Sequence, residues 1–106
     1  MPDYIIAYRG GNKPASQEEG EANMQRRQAW LADMGEKVVN PGFPLANTRI
    51  VSSSSVSADG GADAMSGFTI VSADDQDEAL KMAKACPFLD TGGTLEISEM
   101  MKLPGK

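Results

Sequence analysis

The sequence predicts an α+β fold in which a strand–helix–strand unit occurs twice. Three observations predict it. Gly67 to Met101 reads as strand, helix, strand, with a stop or start signal at each join. Asp3 to Met34 repeats the first two of those elements. Between them, Pro41-Gly42-Phe43-Pro44 and Asp59-Gly60-Gly61 are turn clusters that leave room for one more strand.

Asp3 to Arg9 is the first strand. Tyr4, Ile6 and Tyr8 point one way and Ile5, Ala7 and Arg9 the other. Both sides are mainly apolar, which predicts a central strand covered on both faces. Gly10-Gly11-Asn12-Lys13-Pro14 is a loop, and its spacing fits neither phosphate-binding glycine motif. Ser16 with Glu19 three residues on is a capping-box pair, so a helix is expected from there to about Met34. Gly20 weakens its first turns by roughly 1 kcal/mol relative to Ala. Trp30, Leu31 and Met34 form its clearest buried patch, preceded by Met24 and Arg27. Gly35 is placed to end it in a left-handed conformation.

Lys37-Val38-Val39 is too short to read as a strand, and Pro41 breaks it. Thr48 to Val56 is the expected second strand, an edge strand whose solvated face carries Ser52 to Ser55. Phe68 to Val71 is a β-branched and aromatic third strand. Asp75 and Glu78 then form a second capping box, with Asp74 and Asp77 adding charge that suits a helix N-terminus. Ala79, Leu80, Ala83 and Cys86 make the apolar stripe of that helix, and Pro87 stops it near Cys86. Thr91-Gly92-Gly93 turns the chain, and Leu95 to Met101 alternates as a fourth strand. The result is a single domain over residues 1–106: a ferredoxin-like βαββαβ fold, four antiparallel strands with both helices on one face. The first strand has bulky apolar side chains pointing both ways and the third has Phe68 and Ile70 opposite Thr69 and Val71, so helices on one side only leave part of this set uncovered, an apolar surface of the kind that meets a partner. A homodimer through that face is expected.

Composition narrows the function. A formal charge of −5 and an isoelectric point near 4.6 argue against nucleic acid, whose phosphates call for a basic face. No apolar run approaches the ~18 residues of a membrane span. The N-terminus lacks the features of a secretory signal, and one cysteine makes no internal disulfide, so a cytoplasmic protein is expected. The absence of histidine removes the commonest neutral-pH base and, with a single cysteine, an ordinary zinc site; neither metal nor cofactor is expected.

YIIAYRGG, WLADMG, Asp59-Gly60, GFTIV, DEALKMAKACP and LEISE occur in this order over nearly the whole chain. In these segments the sequence resembles the YCII-related family, specifically its DGPF-like branch. The resemblance implies a ferredoxin-like protomer in a dimeric α+β barrel. Most members have no known function, and a few act on small organic molecules, including chlorinated aromatic breakdown products. Enzymatic members are described with a His in the first helix and an Asp at the end of the second. Aligning on Gly35 puts Met24 at the first position, and aligning on Pro87 puts Cys86 at the second. Neither can carry the same proton transfer, so the dyad does not carry over. Asp59-Gly60 is also not followed by Pro-Phe.

The ligand-binding candidates are therefore Tyr8, Arg9, Met24, Trp30, Cys86 and Glu96. Arg9 is a cation for a small anionic or aromatic ligand in a cleft between sheet and helices, with Tyr8 as its hydrogen-bonding wall; the simpler reading pairs Arg9 with Glu96 at a sheet end and puts Tyr8 in the dimer core. Cys86 reads as a buried thiol at a helix C-terminus, where the dipole disfavours a thiolate, and Trp30 as core or interface. Asp74 to Glu78 lack the spacing of a calcium loop. A non-catalytic small-molecule-binding or accessory protein is the expected function. An enzyme using Glu96 as base is the alternative, and a regulatory subunit is implied only by the gene context of some family members.

Overall fold

The computed structural model describes residues 1–103. Four strands form one antiparallel sheet in the order β2-β3-β1-β4: β1 (Asp3–Arg9), β2 (Val38–Asn40), β3 (Met65–Ser72) and β4 (Thr94–Met100). Helices α1 (Gln17–Met34) and α2 (Gln76–Lys84) follow β1 and β3. The ferredoxin-like order is present, and β1 is central, as its two apolar sides require. It pairs with β3 from Asp3 opposite Ser72 to Tyr8 opposite Gly67, and with β4 from Asp3 opposite Met100 to Arg9 opposite Thr94.

The core lies between the sheet and both helices. Tyr4, Ile6, Tyr8 and Val71 meet Trp30 of α1 and Ala79 and Ala83 of α2, all buried. Trp30 ties the helices together, its indole N–H donating to the Met82 carbonyl at 2.9 Å. The opposite face, with Ile5, Phe68 and Ile70 only partly buried, carries no helix.

Both expected caps form. Ser16 Oγ accepts from Glu19 N at 3.1 Å, and Asp75 Oδ1 accepts from Glu78 N at 2.9 Å. The return bond of the second box lands one residue early: Glu78 Oε1 accepts from Asp74 N at 3.0 Å. Gly20 does not delay α1, which is regular from Gln17. Gly35 ends α1 with positive φ (56°), but its ψ of −123° lies outside the left-handed helical well. The helix α2 stops at Lys84, and Pro87–Thr91 forms a short 3-10 helix.

The second strand is where the sequence reading needs correction. It is not Thr48–Val56 but Val38–Asn40. Ile50, Val51 and Val56 are 57%, 74% and 54% exposed, so no sheet covers them. The serines close a tight turn instead. Ser52 N donates to Ser55 O at 2.8 Å, and Ser52 Oγ accepts from Ser55 N at 3.1 Å. Hydroxyls that bond their own backbone compete with a sheet ladder. The three-residue β2 forms because the turn after it lets the chain press against β3. A Cβ on Gly42, which has φ +81°, would lie 1.6 Å from the Phe68 carbonyl oxygen.

Candidate functional site

At the Arg9 end of β1 a cavity of about 240 Å³ opens between the sheet, α1 and the 3-10 helix. Tyr8 supplies its floor, Asn23 and Arg27 its helical wall, and Cys86, Pro87 and Phe88 the opposite wall. Asn12, Pro14 and Thr91 close the rim.

Alternation on β1 turns Tyr8 to the helical side and not, as the simpler sequence reading had it, into a dimer core on the open face; Phe88 lies over it with ring centroids 5.0 Å apart and planes at 24°. The two glycine pairs explain the seat of Phe88. A Cβ on Gly93 would stand 2.3 Å from its ring, and one on Gly11 2.8 Å. The loop after β1 and the turn before β4 thus hold the aromatic in a slot that only glycine leaves open. Asn12 N donates to Thr91 O at 2.9 Å and ties those segments together.

Hydrogen-bond directions behind Tyr8 are fixed by counting protons. Thr69 Oγ1 donates its one hydroxyl proton to Pro41 O at 3.0 Å. At the Tyr8–Thr69 contact of 2.5 Å, Tyr8 must therefore donate. Its oxygen keeps acceptor capacity only. Arg27 Nη2 donates to the same Pro41 carbonyl at 2.5 Å, filling both lone pairs. Arg27 also lies close enough to Tyr8 to act on its phenol by charge and hydrogen bonding. Arg26 donates to Asn23 Oδ1, which leaves the Asn23 amide as a donor. The helical wall is therefore donor-rich and cationic, and it suits an acceptor such as a carboxylate, phenolate or enolate.

Burial pushes the Tyr8 phenol above its ordinary value. Burial likewise pushes the Cys86 thiol up, so it stays protonated at neutral pH. Among the described residues no carboxylate lines the cavity.

Of the six candidates from the sequence, the cavity brings together Tyr8 and Cys86. Trp30 sits in the core, and its edge reaches a second, more open cleft on the far side of Cys86. Met24 is 62% exposed on α1. Arg9 and Glu96 lie on the open side of the sheet, with Arg9 Nε 3.1 Å from Glu96 Oε2. The angle there makes no directed hydrogen bond, so that shielded nitrogen is served by charge alone. Arg9 Nη1 reaches the Asp63 carbonyl at 3.2 Å.

The cation that faces the cavity is Arg27, with Asn23 one turn before it. A signal for them was present. Stepping back from Trp30 by three and then four residues gives Arg27 and Asn23, not Met24, and both are half-buried. Polar residues at core register positions mark a site more sharply than an isolated Met. Among the described residues no group of three acidic, Cys or His side chains is arranged to hold a metal, and no helix is long and apolar enough to cross a membrane.

A solved structure with the same fold is 5-chloro-2-hydroxyhydroquinone dehydrochlorinase (TftG) from Burkholderia phenoliruptrix AC1100, in complex with 2,5-dihydroxybenzoquinone. The two share 19% identity over 92% of this chain and 93% of that one, with a TM-score of 0.57. No curated protein matches the sequence. The model of the YCII-related domain matches residues 5–103, and the chain belongs to that family.

Proposed function

We propose that this protein is a non-catalytic binder of a small, planar, anionic aromatic molecule, working as a homodimer in the cytoplasm. One observation carries the ligand class: Arg27 is turned into a cavity whose walls are the stacked rings of Tyr8 and Phe88. An apolar cavity of about 150 Å³ takes a benzene. A volume of about 240 Å³ accommodates a ring with one or two polar substituents. The anionic substituent meets Arg27 and the Asn23 amide. A hydroxyl on the same ring donates to Tyr8, whose own proton is committed to Thr69.

The non-catalytic reading rests on what those groups hold at neutral pH. Tyr8 and Cys86 both keep their protons, and among the described residues no carboxylate lines the cavity. Glu96, the base that the sequence suggested, is across the sheet and engaged with Arg9. The homodimer rests on the uncovered face of Ile5, Phe68 and Ile70, and the cytoplasmic setting on a lone thiol.

Titration calorimetry with benzoate and with 2,5-dihydroxybenzoquinone tests the ligand class. Arg27→Gln should weaken binding about 10- to 100-fold, the worth of a charge-assisted hydrogen bond. Equal affinities for wild type and variant would remove Arg27 from the site and this reading with it. The second reading, an enzyme on the same class of molecule, is favoured by the dehydrochlorinase activity in the neighbour's name. Chloride released from a chlorinated hydroxyquinone by wild type, and lost in Arg27→Gln, would establish it.

A further inference from the structure

The fold keeps a hydroxyl where a valine would fit. Thr69 is 0% exposed on the helical side of β3, opposite Ile6 and two residues from Val71. Among the described residues it is the one buried aliphatic side chain that carries a hydroxyl. A polar group in such a place costs stability unless it is bonded. Both bonds of Thr69 lead to the cavity. One is to Tyr8 on its floor, and the other is to the Pro41 carbonyl, which also receives Arg27 from the helical wall.

The Pro41–Gly42 peptide is gripped on every side. Its N–H donates to Asn40 Oδ1 at 2.8 Å. Gly42 is pressed so closely on the Phe68 carbonyl that a Cβ has no room. Its oxygen takes Thr69 at 3.0 Å and Arg27 at 2.5 Å. A carbonyl has no proton to give, so Thr69 donates to it, and Thr69 has one proton. The Tyr8 proton therefore points at Thr69. The other polar side chains on that side of the cavity offer it no better place. Arg27 only donates, and the thiol of Cys86 is a weak acceptor. A turn outside the cavity thus fixes the sense of a hydrogen bond inside it.

For a ligand the consequence is selective. A free phenol both donates and accepts, and would serve either kind of substituent. With its proton committed, Tyr8 offers lone pairs alone. A hydroxyl or an amine on the ring supplies the missing proton. An ether, carbonyl or nitro oxygen brings lone pair against lone pair.

We propose that Thr69 is a positioning residue that sets the specificity of the cavity: without touching the ligand, it restricts the substituent facing Tyr8 to a hydrogen-bond donor. This inference rests on the aromatic-binder reading and adds which substituents the cavity admits. It is tested on the full chain by calorimetry with benzoate, the three hydroxybenzoate isomers and their methyl ethers. For the isomer that binds best, wild type should prefer hydroxyl over ether at least about 10-fold. Thr69→Val frees the Tyr8 proton to meet an ether oxygen, so that preference should fall about 10-fold, while Thr69→Ser should keep it. A merely structural loss would weaken both members of the pair alike and leave their ratio unmoved. A wild type that binds none of these compounds overturns the binder reading and this inference with it. A wild type that binds them with the same ratio as Thr69→Val overturns the inference and leaves the binder reading standing. Two readouts do not depend on that variant folding. Tyr8→Phe should lose the preference, and its retention there would refute the role of the phenol. In the wild type the Tyr8 hydroxyl proton should show a nuclear Overhauser effect to the Thr69 methyl, both free and with saturating hydroxybenzoate. Its disappearance on binding would show the proton turned to the ligand and Thr69 without control of it.

Discussion

Thr69 links the sheet to the candidate site through two bonds that only a hydroxyl makes together. It accepts from Tyr8 and donates to Pro41, and it is fully buried. Thr69→Val keeps the shape and removes both bonds, so the Tyr8 hydroxyl loses its acceptor. The expected cost is about 1–3 kcal/mol in urea unfolding, the penalty of a buried polar group left without a partner. Tyr8→Phe made in that background should cost less than in wild type, because the bond it would break is already gone. Strictly additive losses would show that the two hydroxyls do not interact. Cys86 belongs to this scale as well. It is buried and lines the cavity with Tyr8, and burial raises its pKa.

The α2 N-terminus carries a carboxylate whose pKa is lowered in the folded protein. Glu78 is held below the ordinary carboxylate value, first by the Asp74 backbone N–H and then by Lys37, whose Nζ is 3.2 Å from Oε1. A carboxylate with a lowered folded-state pKa stabilises the fold fully above its unfolded value. That contribution is lost as pH falls through the folded value. Glu78→Gln keeps an acceptor for Asp74 N but cannot titrate. Between about pH 6 and about pH 3 the wild type should lose more stability than Glu78→Gln, read from urea midpoints. Parallel acid limbs for the two proteins would place the titration elsewhere. The capping residues that make this element were visible as Asp75 and Glu78 because caps act within four residues of sequence. The second strand was not visible, since β2 is three residues long and owes its existence to β3 beside it and to the close approach at Gly42.

At the scale of the whole molecule, the protomer is broad and thin, with one sheet face left without a helix. If a second copy covers it, folding and association are coupled. The thermal midpoint should then rise with protein concentration, because binding that occurs only in the native state stabilises it by mass action. Calorimetric scans over a hundredfold range of concentration check this, and a midpoint that does not move would leave the protomer stable alone. The cavity lies on the helical side of the sheet, away from that surface. Ligand binding and dimer formation are therefore expected to be separable by substitution at Arg27 and at Ile70.

The sequence by itself determined the α+β class, both helices with their caps, the central first strand and the fact that one apolar face lacks a helix, though not which side chains lie on it. These follow from periodicity and capping, which are local and survive without knowledge of neighbours. Tyr8 and Cys86 were also legible, as an aromatic at the end of a strand and a thiol before a helix-stopping proline. Only the tertiary structure decided which arginine serves the cavity. Arg9 and Arg27 differ in the face on which each lands, and that is set by strand register and by the phase of α1 against the sheet. The same holds for Phe88, whose seat is cut by Gly11 and Gly93 from two segments far apart in sequence. It holds too for Thr48–Val56, where serine hydroxyls bonding their own backbone outweigh the β-branched residues flanking them. Contacts between distant segments place the side chains that line the cavity, and spacing along the chain does not contain them.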